Sequence, residues 1–176
     1  GLSWQMPRIH MEANCLGVLN LLEAVKRHAP EAHVIQASTS EMFGNRGGVL
    51  AEDSPMQPAS PYGGAKRAAH ELCRVYRESY DMHISCAISF NHESPRRPPI
   101  FVTRKVTQAA AQGREVALGA LDVYRDWGFA GDYVQAYIAM AKADTPDDYV
   151  VGTGEAHSVA DLVETAYLAA GIEDWG

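Results

Sequence analysis

Tyr62 and Lys66 stand four residues apart in the stretch Ser60-Pro61-Tyr62-Gly63-Gly64-Ala65-Lys66. On a helix that spacing places both side chains on one face, one turn apart. A free phenol has a pKa of about 10 and is a poor base near neutrality. Lowering it by about three units takes about 4 kcal/mol. A cation about 4 Å away, at an effective dielectric of about 20, supplies roughly that much. The pair is therefore a candidate proton-transfer device for an alcohol or a ketone. A Tyr-x-x-x-Lys pair also arises by chance on many helices, so the surrounding elements decide its meaning.

Those elements are readable. Pro61 stands where a helix begins, a position that tolerates proline. The chain then stays helix-friendly to about Tyr80. Upstream, His33 to Ser38 reads as a short buried strand that ends in Thr39-Ser40-Glu41. Hydroxyls and a carboxylate at the C-terminal end of a parallel strand are where open α/β sheets place ligands.

Elsewhere, helical spacing of Cys15, Val18, Leu19, Leu22 and Val25 predicts a helix from His10 to His28, stopped by Ala29-Pro30. Asn45 to Ala59 reads as a loop punctuated by glycine and proline. A strand is predicted over His83 to Phe90, with Ile84, Cys86, Ile88 and Phe90 on one face. A proline-rich basic loop is predicted over Asn91 to Ile100, and a helix over Phe101 to Gln112 closed by Gly113. A short strand at Val116 to Gly119 follows, then a loop at Arg125 to Gly128 and a helix from Gly131-Asp132 to about Lys142. Last come a strand over Asp148 to Val151 and a helix capped by Ser158 and running through Ala170, with Asp161 suited to its dipole. The alternation predicts an α/β fold with a mostly parallel sheet.

Composition narrows the classes. The 176 residues are 47% hydrophobic and 21% charged, ordinary for a soluble globular protein with a real core. A net charge of −7 argues against a general nucleic-acid binder. An anionic small ligand would need a local basic cluster. Cys15, Cys73 and Cys86 are widely spaced and odd in number, which reads as reduced thiols in a cytoplasmic protein. The histidines are scattered, so no metal site is expected, and no apolar run is long enough to predict a membrane span.

The motifs extend further than the tetrad. Ser38-Thr39-Ser40-Glu41-Met42-Phe43-Gly44, Tyr76-Arg77-Glu78-Ser79-Tyr80 and Phe90-Asn91-His92-Glu93-Ser94-Pro95-Arg96-Arg97 occur in order. Phe101-Val102-Thr103-Arg104-Lys105, Arg125-Asp126-Trp127-Gly128 and Gly152-Thr153-Gly154-Glu155-Ala156-His157-Ser158 follow. From about Ser3 to the last helix the chain resembles the GDP-mannose 4,6-dehydratase family, within the extended short-chain dehydrogenase/reductase superfamily. It departs from the family pattern at Ala120, where Asn is more common, and at Pro98-Pro99.

The resemblance implies a Rossmann-like doubly wound parallel sheet, here partial, with a smaller C-terminal substrate domain. The cofactor-binding part would comprise residues 1–96 with 124–152, and the substrate part residues 97–123 with 153–176. The implied reaction converts GDP-mannose to its 4-keto-6-deoxy product and water, by transient hydride transfer to NADP. Tyr62 would take the 4-hydroxyl proton, and Lys66 would assist it and reach the nicotinamide ribose. Thr39 would hold the 4-oxygen and Glu41 would remove the C5 proton. Asn91 would face the substrate diphosphate, and His92 and Arg97 would contact the cofactor. Arg104 and Arg125 offer guanidinium forks, and Lys105 a compact positive charge, for the phosphate oxygens of the substrate. Expected partners are a nucleotide sugar and further copies of the chain, with no nucleic acid and no membrane.

No glycine-rich strand–turn–helix of the dinucleotide-binding type is present. The family carries that turn upstream of the matched region, so the chain reads as a fragment, expected by itself to bind NADP weakly or not at all. Two other readings stand beside this one. One is a related epimerase or dehydratase acting on another nucleotide sugar. The other is a truncated, non-catalytic nucleotide-sugar-binding module. Plain epimerases of the superfamily generally lack a glutamate two residues past the Thr, so Glu41 favours the dehydratase.

Overall fold

The protein was analysed as a computed structural model that describes residues 2–174. The outermost positions of the two expected domains, Gly1, Trp175 and Gly176, lie outside the described residues.

In chain order, helices α1 (Leu2–Gln5) and α2 (Pro7–Met11) lead through a π-helical stretch, Glu12–Leu16, into α3 (Gly17–His28). Strand β1 (Val34–Thr39) and a 3₁₀ turn (Ser40–Met42) precede the long helix α4 (Pro61–Tyr80). Then come β2 (Ile84–Ser89), β3 (Asn91–Glu93) and helix α5 (Val102–Ala111). Strands β4 (Tyr124–Arg125) and β5 (Trp127–Phe129) precede α6 (Ala130–Ala141). Strands β6 (Asp148–Val151) and β7 (His157–Ser158) lead into α7 (Val159–Ala169).

Contacts divide the chain into two units, one formed by the described residues up to Phe90 with Tyr133–Val151, the other by Asn91–Asp132 with the residues from Gly152 onward. The first unit is built on a parallel sheet of order β1-β2-β6. Val34 pairs with Ile84 and Thr39 with Ser89, while Ser89 also pairs with Val151. All six β2 residues are buried: Ile84, Cys86 and Ile88 share one face as expected, and the other face of this central parallel strand is covered as well. Leu22, Cys73, Tyr76, Met82, Ile84 and Cys86 form one core cluster, and Met42, Phe43 and Ile88 another. The apolar stripe of α3 predicted from the sequence packs here through Leu22, Val18, Leu19 and Val25.

The second unit has its own core, made of Val106 and Ala110 on α5 and Val159, Val163 and Tyr167 on α7. Ser158 and Asp161 form a reciprocal capping box that starts α7. Gly113 ends α5 at φ +60°, a conformation that suits glycine.

Several boundaries differ from the sequence reading. Helix begins well before His10, because Pro7 serves as a first-turn residue for α2. Residues 116–119 form no strand: Val116 and Leu118 pack on the second core, and the Lys105 ammonium takes the Ala117 carbonyl at 2.5 Å. The loops expected at Asn91 and at Arg125 contain the short pairs β3–β5 and β4–β7. These ladders, with Asp126 gripping the Thr153 and Gly154 amides at 2.9–3.1 Å, tie Asn91–Arg96 and Tyr124–Asp132 into the second unit.

Candidate active site

Strand β1 delivers its C-terminal residues to one place. Thr39 is buried, and its hydroxyl caps the following 3₁₀ turn by accepting the Glu41 amide at 3.3 Å. A hydroxyl carries one proton and two lone pairs, so Thr39 keeps its proton to donate. Glu41, in the turn, is exposed, while its neighbours Met42 and Phe43 are buried and anchor the turn from below.

Helix α4 begins against that turn. Ser60 caps it by accepting the Gly63 amide at 3.1 Å, and Pro61 occupies the first turn. Gly63 is where the two elements meet: a Cβ there would lie 2.7 Å from the Glu41 carbonyl oxygen and 3.0 Å from the Pro58 Cβ. Glycine is therefore what lets the helix carrying Tyr62 and Lys66 approach the turn carrying Thr39 and Glu41. The neighbouring Gly64 faces open space. Glycine-to-alanine changes inside helices ordinarily stabilise by roughly 0.5–1 kcal/mol. Gly64→Ala is expected to follow that rule, and Gly63→Ala to reverse it and lower the thermal midpoint. Equal midpoints for the two variants would show that the close approach is absent.

The sides of Tyr62 and Lys66 are defined. The Tyr62 ring meets His10 edge-on, with centroids 6.0 Å apart and planes at 84°. The Lys66 ammonium is half-buried and donates to the Ala37 carbonyl at 2.6 Å, and burial pulls its pKa down. An ammonium has three donors, so two remain for a ligand.

One turn beyond Lys66, His70 lies buried in a polar network with no local signature in the sequence. Its Nδ1 is 3.0 Å from the Ser38 hydroxyl and its Nε2 is 3.3 Å from the Asp148 carboxylate. Arg77 donates to the other Asp148 oxygen at 3.0 Å and to the Ile84 carbonyl at 2.9 Å. Burial alone would raise the Asp148 carboxyl, but His70 and Arg77 hold it well below the usual carboxylate range. Burial likewise opposes the charge on His70, and Asp148 outweighs it, raising His70 to about 9. His70, Cys86 and Asp148 place N, S and O atoms within 4.8 Å of one another, a spacing a metal could use. Two cationic side chains, His70 and Arg77, already share the Asp148 carboxylate.

This network has a pH signature. His70 is charged in the folded state up to about pH 9, and in the unfolded chain only below about 6.5. Its contribution is therefore complete below pH 6.5 and lost as pH rises through about 9, a change on the order of 3 kcal/mol. The Asp148 contribution runs the other way, present above about pH 4 and lost in acid. The thermal midpoint of the native protein should thus fall more steeply between pH 6.5 and 9.5 than that of His70→Gln. Parallel curves would mean that His70 is neutral in the fold.

The second unit collects other candidates. An open cavity of about 510 Å³ is lined by Glu93, Arg97, Thr103, Arg104, Trp127 and Phe129, among others. Glu93 accepts the Thr103 hydroxyl at 2.6 Å and pairs with Arg97 at 3.2 Å. The Arg97 guanidinium stacks on the Phe101 ring at 3.7 Å. Asn91, His92, Lys105 and Arg125 do not line this cavity. Asn91 and His92 sit on β3 beside Trp127 and Gly128, Lys105 is turned to the Ala117 carbonyl, and Arg125 is exposed with a bond to the Tyr124 carbonyl at 2.7 Å. Neither His70 nor Asp148 was singled out by the sequence.

A parallel sheet whose strand ends in Thr-Ser-Glu beside a Tyr-x-x-x-Lys helix defines a member of the extended short-chain dehydrogenase/reductase superfamily. Solved structures agree. The chain matches RMD from Pseudomonas aeruginosa complexed with NADPH with a TM-score of 0.91 at 25% identity, covering 97% of this chain and 62% of that one. It matches the Thermus thermophilus UDP-glucose 4-epimerase complex with NAD with a TM-score of 0.88 at 29% identity, covering 97% and 58%. The profile of the GDP-mannose 4,6 dehydratase family matches residues 1–176, and the chain belongs to that family. GDP-mannose 4,6 dehydratase 2 of Arabidopsis thaliana is 41% identical over 97% of this chain and 48% of its own length. The chain spans about half the length of the curated relatives it matches.

Proposed function

We propose that this chain is the catalytic and substrate-binding part of an enzyme converting GDP-D-mannose to GDP-4-keto-6-deoxy-D-mannose and water. The observation that carries the reading is the seating of the Thr39–Glu41 turn against the start of α4 at Gly63. Tyr62 and Lys66 lie on the helix that abuts the turn bearing the exposed Glu41 side chain, which supports an alcohol-handling pair near a carboxylate base.

In the first unit, Lys66 fits the nicotinamide end of a dinucleotide, keeping donors beyond its bond to Ala37. A bound NADP would supply the hydride acceptor for the sugar C4 and, once reduced, the hydride donor for C6. Tyr62 takes the 4-hydroxyl proton, with Lys66 holding the phenol side of the site cationic. Thr39 donates its hydroxyl proton to the 4-oxygen as that oxygen becomes a ketone. Glu41 takes the C5 proton, made acidic by the adjacent ketone, and the 6-hydroxyl leaves as water. In the second unit, His92 and Arg97 are assigned to the cofactor, and Asn91, Arg104, Lys105 and Arg125 to the diphosphate. The reading extends to a cytoplasmic setting, supported by the three free thiols, and to a homo-oligomer of the complete protein, as the family resemblance implies. No described helix is long and apolar enough to cross a membrane.

The test is incubation of the complete gene product with NADP and GDP-mannose, followed by mass spectrometry. The expected result is a nucleotide sugar lighter by one water with no net reduced cofactor. A product of unchanged mass would make this an epimerase, and no reaction with GDP-mannose would overturn the substrate assignment.

A further inference from the structure

Strand β1 and helix α4 are joined by side chains at two successive turns of the helix. At the first, Lys66 reaches the Ala37 carbonyl at 2.6 Å. At the second, His70 meets the Ser38 hydroxyl at 3.0 Å. The next residue of the strand is Thr39. The lower joint is almost entirely inside the protein, with Ser38 6% and His70 4% exposed. It is braced from behind, because Asp148 on β6 holds the other ring nitrogen and Arg77 on the same helix holds Asp148. The chain of contacts therefore runs from β6 through α4 to β1, ending one residue before the threonine that faces the reaction.

From this we infer that His70 is a positioning residue: its imidazole, held between Ser38 and Asp148, fixes the spacing of β1 from α4 and so the placement of Thr39 relative to Tyr62 and Lys66. In the charged ring both nitrogens donate, one to the Ser38 oxygen and one to the Asp148 carboxylate. A ring clamped at both ends cannot slide along the helix axis. The groups set against it are Ser38 from β1, Cys86 from β2 and Asp148 from β6, with Arg77 of α4 on the other oxygen of Asp148. None of these four is assigned to substrate or cofactor, so the effect reaches the chemistry only through backbone placement. The inference rests on the functional reading above for its catalytic readout.

Two isosteres separate positioning from plain stability. The terminal group of asparagine falls where Nδ1 lies and keeps the Ser38 joint. That of glutamine falls where Nε2 lies and keeps the Asp148 brace. In the complete gene product, His70→Asn should hold kcat within about threefold of wild type, whereas His70→Gln should lower kcat about tenfold or more, with KM within about twofold. Equal kcat for the two variants, or a loss that merely follows the fall in melting temperature, would overturn the inference. Ser38→Ala removes only the hydroxyl and serves if neither His70 variant folds: a kcat loss of about fivefold at unchanged melting temperature supports it, and unchanged kcat refutes it. Failure of the functional reading looks different, since the wild type would then leave GDP-mannose untouched. NADP affinity, which depends on Lys66, then decides: weaker binding in His70→Gln than in His70→Asn supports positioning, and equal binding refutes it.

Discussion

Tyr62→Phe is expected to lower turnover of the complete enzyme by roughly 100-fold or more, the usual scale for a general acid–base group. The ring keeps its edge-on contact with His10, so folding should be unaffected. Only the proton acceptor is removed. KM should change little, because phenylalanine fills the same volume and the diphosphate contacts lie on other residues. The check is steady-state kinetics alongside thermal denaturation. Wild-type turnover in Tyr62→Phe would remove the central pair from the mechanism. A loss of turnover accompanied by an equal loss of folded protein would assign Tyr62 a structural role.

Glu41→Gln is expected to stop the reaction midway. The proposed reaction has separable steps: oxidation at C4, proton removal at C5 and hydride return at C6. Only the middle step needs a carboxylate base, and glutamine has nearly the same shape without that basicity. The side chain is exposed, so the fold should tolerate the change. The variant should oxidise some substrate and stall, which appears as a small rise in reduced-cofactor absorbance with no dehydrated product. Full turnover in this variant would leave Glu41 as a turn-forming carboxylate, with Thr39 capping its amide for local structure alone.

The tetrad and its elements were legible because their signals are local. The Tyr62–Lys66 spacing, the Ser60-Pro61 start and the apolar runs of β1 and β2 each follow from neighbouring residues, and α4 spans Pro61–Tyr80 as the sequence predicts. The Ser158 cap was equally readable, being a contact between residues three apart. What was not legible depends on distant pairing. His70, on the face of α4 shared with Tyr62 and Lys66, is by type an ordinary helical residue. Its meaning comes from Ser38 and Asp148, residues brought to it by sheet order. Gly63 and Gly64 are alike in the sequence, and only Gly63 has the Glu41 carbonyl against it. Short ladders such as β3–β5 escape for the same reason, since three residues carry no periodicity and each strand needs its partner. The expected strand at residues 116–119 erred in the opposite sense: its apolar alternation serves packing on α5 and α7 without a ladder.

The dehydratase assignment turns on whether a proton leaves C5. The complete gene product should be incubated with GDP-mannose and NADP in deuterium oxide, and the product read by proton NMR and mass spectrometry. A 4-keto-6-deoxy product carrying solvent deuterium at C5, with no net accumulation of reduced cofactor, is the expected result. A dehydrated product without deuterium at C5 would contradict it, because the proton taken by Glu41 leaves with the 6-hydroxyl as water and C5 must then be refilled from solvent.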